Sequence, residues 1–154
     1  MRLETLPDAA AVALRGAQFI AAEAHGAVRA RGRFAFAVSG GSTPWQMLRL
    51  LADQDLPWSQ VHLFQVDERI APGGDPDRNL THIRESLLAR VPLPAAQVHA
   101  MPVEAADLAA AARDYERALA CVAGTPPVLD LVHLGLGSDG HTASLVPGDP
   151  VLGV

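Results

Sequence analysis

Short apolar runs alternate along this chain with longer stretches of helical periodicity. The first helical stretch runs from Pro7 to Ala30, rich in Ala, with Val12, Leu14, Phe19 and Ile20 spaced for one face of a helix. Phe34 to Val38 is wholly apolar and is stopped by Ser39-Gly40-Gly41, the pattern of a buried strand. Ser42 and Thr43 then offer capping hydroxyls, with Pro44 at the first helical position and helix predicted through Trp45 to Leu51. A second strand is predicted over Val61 to Val66, ending in Asp67-Glu68-Arg69. A loop rich in Pro, Gly and Asp from Ala71 to Arg78 leads to a helix over about Leu80 to Ala89. Val98 to Met101 predicts a short third strand and Glu104 to Val122 an Ala-rich helix. Leu129 to Leu134 predicts a last strand, followed by Gly135-Leu136-Gly137-Ser138-Asp139-Gly140-His141 and a helix start at Thr142.

Strands that are apolar throughout and alternate with helices predict an α/β fold. The expected form is three-layered and doubly wound, a mainly parallel sheet with helices on both faces. Ligands of such sheets lie beyond the carboxyl ends of the strands. The three polar strand ends are therefore expected to share one crevice.

Composition narrows the function. The chain has 154 residues, 49% of them hydrophobic, enough for a single domain spanning 1–154 and too apolar for disorder. Aromatic residues make up only 5%, so a core of Ala, Val and Leu is expected. The formal charge is −5, with no basic excess to draw the chain to nucleic acid or an anionic membrane. Every basic residue is Arg, which excludes lysine Schiff-base and Walker-type chemistry within this chain. The Arg/Ala bias is that of a GC-rich bacterial genome. The lone cysteine, Cys121, has apolar neighbours and reads as a buried helix side chain. No signal-peptide pattern opens the sequence and no apolar run is long enough for a membrane span, so a cytoplasmic protein is expected.

Three segments carry candidate chemistry. In Ser39-Gly40-Gly41-Ser42-Thr43-Pro44, glycines allow close backbone approach and a helix start presents free N–H groups and hydroxyls, a cradle for phosphate or carboxylate. A plain strand-to-helix turn fits the same residues. Asp67-Glu68-Arg69 reads either as a solvated loop with an internal ion pair or as a functional rim. In the second case Arg69 is a planar fork for phosphate or oxyanion, and a carboxylate orients a histidine or sugar hydroxyl. The glycine-rich loop ending in His141 places an imidazole, able to exchange a proton near neutral pH, at a strand end. The plainer reading, Asp139 as a helix cap and His141 as an exposed side chain, is disfavoured by the convergence of three such strand ends. Of the other histidines, His25 and His99 read as surface positions, His62 and His133 lie within strands, and His82 is on a helix. None has metal-ligand spacing.

Together SGGSTP, VDERIAP and LGLGSDGHTASLVPG resemble the 6-phosphogluconolactonase family, in the family's order and from about residue 7 to residue 150. The wider superfamily, with the same sheet architecture, includes glucosamine-6-phosphate deaminase/isomerase. The resemblance implies hydrolysis of 6-phospho-D-glucono-1,5-lactone to 6-phosphogluconate without metal or organic cofactor. By position, His141 is the general base, Arg69 holds the phosphate or polarises the substrate, and Asp67 orients. Ser39, Gly40, Gly41, Ser42 and Thr43 contact phosphate or sugar, as do Gly137, Asp139 and Gly140. From glycine placement, the backbone N–H groups of Gly137 to Gly140 are expected to stabilise an oxyanion. Where the deaminases carry the glutamate of GHIAFNEPG, this chain has Val146, which cannot relay a proton. A non-catalytic sugar-phosphate binding module and, less favoured, the deaminase remain the alternative readings. The family's Asp-Ser-Asn is here Asp77-Arg78-Asn79, with Arg78 directed either to solvent or to phosphate. Family members continue past the HTASL segment, so the resemblance implies the N-terminal two-thirds of the family's domain. It also implies a sheet edge at Leu129 to Leu134 open to self-association.

Overall fold

The computed structural model describes residues 3–153. Four strands, β1 (Phe34–Val38), β2 (Val61–Gln65), β3 (Val98–His99) and β4 (Leu131–His133), form one sheet in the order β3-β2-β1-β4, every pair parallel. The helices are α1 (Ala9–Arg31), α2 (Ser42–Ala52), α3 (Asn79–Ile83) and α4 (Leu108–Ala123). A π-type turn over Arg84–Leu88 continues α3, where the sequence pattern predicts unbroken α-helix. The chain adds strands outward from β1 to β2 to β3, and α4 then returns it to the other side of β1. Because crossovers keep one hand, reversing the direction of growth moves the connecting helix to the opposite face. Helices α1, α2 and α3 accordingly cover one face and α4 the other. This is the expected three-layer, doubly wound arrangement, with its switch point between β1 and β4.

The larger core joins Phe34, Phe36 and Val38 of β1 and Val61 and Leu63 of β2 to Met47, Leu48 and Leu51 of α2. Phe34, Phe36 and Phe64 are fully buried, so aromatic rings fill the middle of the sheet instead of a core of Ala, Val and Leu alone. The face of α1 also differs from the expected one. Ala13, Ala17, Ile20, Ala21, Ala24 and Ala27 are buried, while Val12, Leu14 and Phe19 are nearly half exposed. Small side chains let α1 lie close against α2, and the larger ones are turned aside.

Local chemistry sets the helix ends. The Asp8 carboxylate accepts from Ala11 N at 2.8 Å and the Asp107 carboxylate from Ala110 N at 2.9 Å, each capping its helix. For α2 the predicted hydroxyl cap does not form. Gly41, with φ 120°, is the cap residue, Trp45 N donates to Gly41 O, and Pro44 is the third helical residue. The predicted helix at Thr142 is absent as well: Thr142 and Leu145 pair across a tight turn, with Ala143 at φ 50°. On α4, Tyr115, Leu119 and Val122 face the sheet. Cys121 lies two residues, about 200° around the helix, from Leu119 and is exposed, not buried. His99 is likewise not a surface residue. Its ring stacks on Phe64 at 4.2 Å, and its Nε2 meets His62 Nδ1 at 3.1 Å. No helix among the described residues is long and apolar enough to cross a membrane.

Candidate active site

The carboxyl ends of β1, β2 and β4 open into one cleft of about 490 Å³ at the switch point. Its walls are Ser39 to Pro44 from β1, Asp67, Arg69 and Asn79 from the β2 side, and His133 to Gly137 with His141 from β4. Parallel topology alone brings these distant segments together, as expected. The opening turn of α2 supplies the N–H groups of Ser42 and Thr43, which have no intrahelical acceptor at a helix start. Gly40 must lack a side chain, since a Cβ there would overlap the amide of Asn79.

The β2 wall is organised by Glu68, whose side chain has no exposed surface. Its carboxylate accepts from Gln65 Nε2 (2.8 Å), Arg69 N (2.8 Å), Asn79 N (2.7 Å) and Leu80 N (2.9 Å), the last two being the free amides at the start of α3. Burial pushes the Glu68 carboxyl up, but these four donors outweigh it and hold it below the ordinary value. Arg78 is directed neither to solvent nor to the cleft. It is buried, its Nε 3.3 Å from Glu68 and its Nη1 3.3 Å from Glu104, and it donates to Ala71 O at 3.0 Å. Glu68 is thus a structural anchor, neither a solvated loop residue nor a partner for histidine or sugar. From α4, the Tyr115 hydroxyl donates to Gln65 O and accepts from Gln65 N, and burial pushes its phenol up to about 12.

Asp67 faces the cleft, held by Asn79 Nδ2, which donates to its carbonyl (3.1 Å) and carboxylate (3.2 Å). Its other carboxylate oxygen accepts from Ser144 Oγ at 2.9 Å, tying the β2 wall to the β4 loop. Arg69 is exposed, and its guanidinium makes no ion pair among the described residues. The carboxylate beside His141 is that of Asp139, with Oδ1 2.6 Å from Nδ1 and 3.2 Å from the His141 amide. These contacts, the backbone amide's first and then the ring's, hold the Asp139 carboxyl below its ordinary value. The imidazole lies against Gly137, where any Cβ would overlap the ring.

Two expectations for this loop need correction. The amides of Gly137 and Gly140 are already used, donating to His141 O (2.8 Å) and Gly137 O (3.0 Å), because the turn is tight enough to close on itself. Those two are not available to an oxyanion, which leaves of the expected group only the amides of Ser138 and Asp139, with no backbone acceptor among the described residues. Asp139 and Gly140 do not line the cleft: Asp139 stands behind the imidazole, and Gly140 turns the backbone at φ 90°. Asn79, Ser144, Val12 and His133 were missed as cleft or linking residues. Asn79 alone carried a signal, standing in the segment aligned with the family's Asp-Ser-Asn. No three His, Cys, Asp or Glu residues are grouped to hold a metal among the described residues.

A doubly wound sheet that gathers a helix start, an arginine without an ion pair among the described residues and a carboxylate-paired histidine at its switch point defines an α/β protein with a polar cleft beyond the carboxyl ends of its strands. Residues 7–154 match the model of glucosamine-6-phosphate isomerases/6-phosphogluconolactonase, and the chain belongs to that family. It is 40% identical over 156 residues to a 6-phosphogluconolactonase of Nostoc, covering 99% of this chain and 65% of the relative. To that of Synechocystis it is 45% identical over 132 residues, 83% of this chain and 55% of the relative. The 6-phosphogluconolactonase structure from Trypanosoma brucei superposes with a TM-score of 0.82 at 28% identity, covering 96% of this chain and 64% of that one. The chain thus spans 55–65% of the length of the two curated relatives.

Proposed function

We propose that this chain carries the site that hydrolyses 6-phospho-D-glucono-1,5-lactone to 6-phosphogluconate, a step of the pentose phosphate pathway. The observation that carries the reading is the His141–Asp139 pair at 2.6 Å in the same cleft as the α2 N-terminus and Arg69. With Nδ1–H donated to Asp139, Nε2 is the unprotonated nitrogen and acts as general base. It takes a proton from water as the water oxygen attacks the lactone carbonyl. The tetrahedral intermediate collapses by breaking the bond from C1 to the ring oxygen, and the proton held on Nε2 passes to that leaving oxygen. The phosphate sits at the α2 start, with the Ser42 and Thr43 hydroxyls and the Arg69 guanidinium as donors. Asp67, fixed by Asn79 and Ser144, orients substrate hydroxyls from the facing wall. No step calls for a metal or an organic cofactor.

Val146, an exposed aliphatic, offers no proton relay for the deaminase alternative. The reading includes a bacterial, cytoplasmic setting. It also includes pairing of the outer edge of β4 with a second copy, since Val132 and Leu134 are about half exposed there. Sedimentation that finds only monomers would count against that last part. The central test is lactone hydrolysis, after subtraction of the spontaneous rate, by this chain and by His141→Ala. The expected result is acceleration that falls by about 10²- to 10⁴-fold in the variant. Undiminished activity of His141→Ala would overturn the mechanism, and ligand binding without turnover would favour the binding module.

A further inference from the structure

Among the described residues, two polar side-chain atoms on the cleft walls have no partner: the hydroxyl of Ser39, a residue 4% exposed, and Nδ1 of His133. Ser39 follows Val38, the last residue of β1, and Val38 is in register with His133, the last residue of β4. The two groups therefore stand at the ends of adjacent strands, on either side of the switch point, and both line the cleft. An unpaired buried polar atom costs about 1–3 kcal/mol, and folded proteins keep few of them. The Ser39 hydroxyl calls for a ligand group at the cleft wall, and His133 stands on the adjacent strand end with its other ring nitrogen, Nε2, neither enclosed nor hydrogen-bonded among the described residues.

Their chemistry narrows that ligand. Burial holds the His133 imidazole below its ordinary pKa, so the ring is neutral at neutral pH. A neutral imidazole donates at one nitrogen and accepts at the other, and a serine hydroxyl does both. With Nδ1 enclosed by protein, Nε2 is the nitrogen left to meet a ligand. Neither group carries charge, in contrast to Arg69 and the α2 N-terminus, which favour an anion. Uncharged donor–acceptor groups match hydroxyls.

We propose that His133, together with Ser39, reads the hydroxyl-bearing carbon chain of the ligand, while Arg69 and the start of α2 take its phosphate. His133 is then a specificity-determining residue of the cleft; the assignment rests on the phosphosugar reading above.

The test is calorimetric titration with 6-phosphogluconate and, separately, with inorganic phosphate, using the parent chain, His133→Leu and His133→Gln. Loss of one ligand hydrogen bond predicts about tenfold weaker 6-phosphogluconate binding by His133→Leu. Phosphate affinity should stay unchanged, and His133→Gln, whose amide reaches about as far as Nε2, should recover most of the loss. Equal weakening for both ligands in His133→Leu overturns the proposal in favour of a structural role. If the parent binds 6-phosphogluconate and His133→Leu binds it equally well, this proposal alone fails. A parent that binds neither ligand fails the phosphosugar reading and takes this inference with it.

Discussion

On the β2 side of the cleft, Glu68 has no exposed side-chain surface and takes four hydrogen bonds, with Arg78 sealed behind it. On the β4 side, the His141 and Asp139 side chains are 44% and 57% exposed. They are held by each other and by the turn that closes on Gly137. The difference separates two tasks. A carboxylate with every lone pair engaged cannot exchange protons with a substrate, but it sets the position of Asp67, Arg69 and Asn79 before any ligand arrives. An imidazole open to solvent contributes little to folding and is free to reach water and substrate. Substitutions on the first wall should therefore register as stability, and on the second as rate.

Glu68→Ala should sharpen the contrast most. It strands a buried guanidinium and the free amides of α3, and a loss of about 3–5 kcal/mol in chemical denaturation is expected. A loss below about 1 kcal/mol would show that the β2 wall is not anchored there. His141→Ala should do the reverse, leaving the denaturation midpoint in place while the rate falls as described above. Gly137→Ala should mimic it, because the added methyl displaces the imidazole without touching the core. A rate loss of up to about 10²-fold is expected with the melting temperature unchanged.

Acid should act on the β2 wall in a defined direction. In the unfolded chain the Glu68 carboxyl titrates near 4.5, and in the folded chain it titrates below that. Its contribution is thus complete above about 4.5 and is lost as pH falls through the folded value. Stability measured from pH 6 down to pH 3 should decline less steeply in Glu68→Gln than in the parent. Ser144→Ala, which cuts the Oγ–Asp67 link between the walls, should cost less than about 1 kcal/mol and lower the rate only slightly. A large effect there would mean that the two walls are not independent.

How much of this is legible in the chain differs between the walls. The exposed loop is written locally: glycines, Asp139 and His141 lie within five residues, and a sequence motif brings its own geometry with it. Even so, the short side chain of Asp139 folding back onto His141, and the turn at Thr142 in place of a helix, depend on backbone closure that periodicity does not register. The β2 wall is written locally only in part, through Gln65 and the Arg69 amide beside Glu68. Glu68 looks like one charge in a loop until residues 79 and 80 present their amides to it. Arg78 shows its direction only when Glu104, from the segment before α4, arrives beside it.

By itself the sequence determined the alternation of elements, the parallel sheet and the meeting of three strand ends. Apolar runs must be covered on both faces, and parallel strands all end on one edge. Tertiary structure decided which charged groups are buried, that α1 packs through its alanines, and that Cys121 faces solvent while His99 stacks on Phe64. Those outcomes depend on what lies across a contact from each side chain, and decisive partners such as Asn79 for Glu68, Glu104 for Arg78 and His99 for Phe64 lie beyond the reach of a local pattern. A pattern read along one strand or helix carries the period of a face; only the packed molecule says what that face meets.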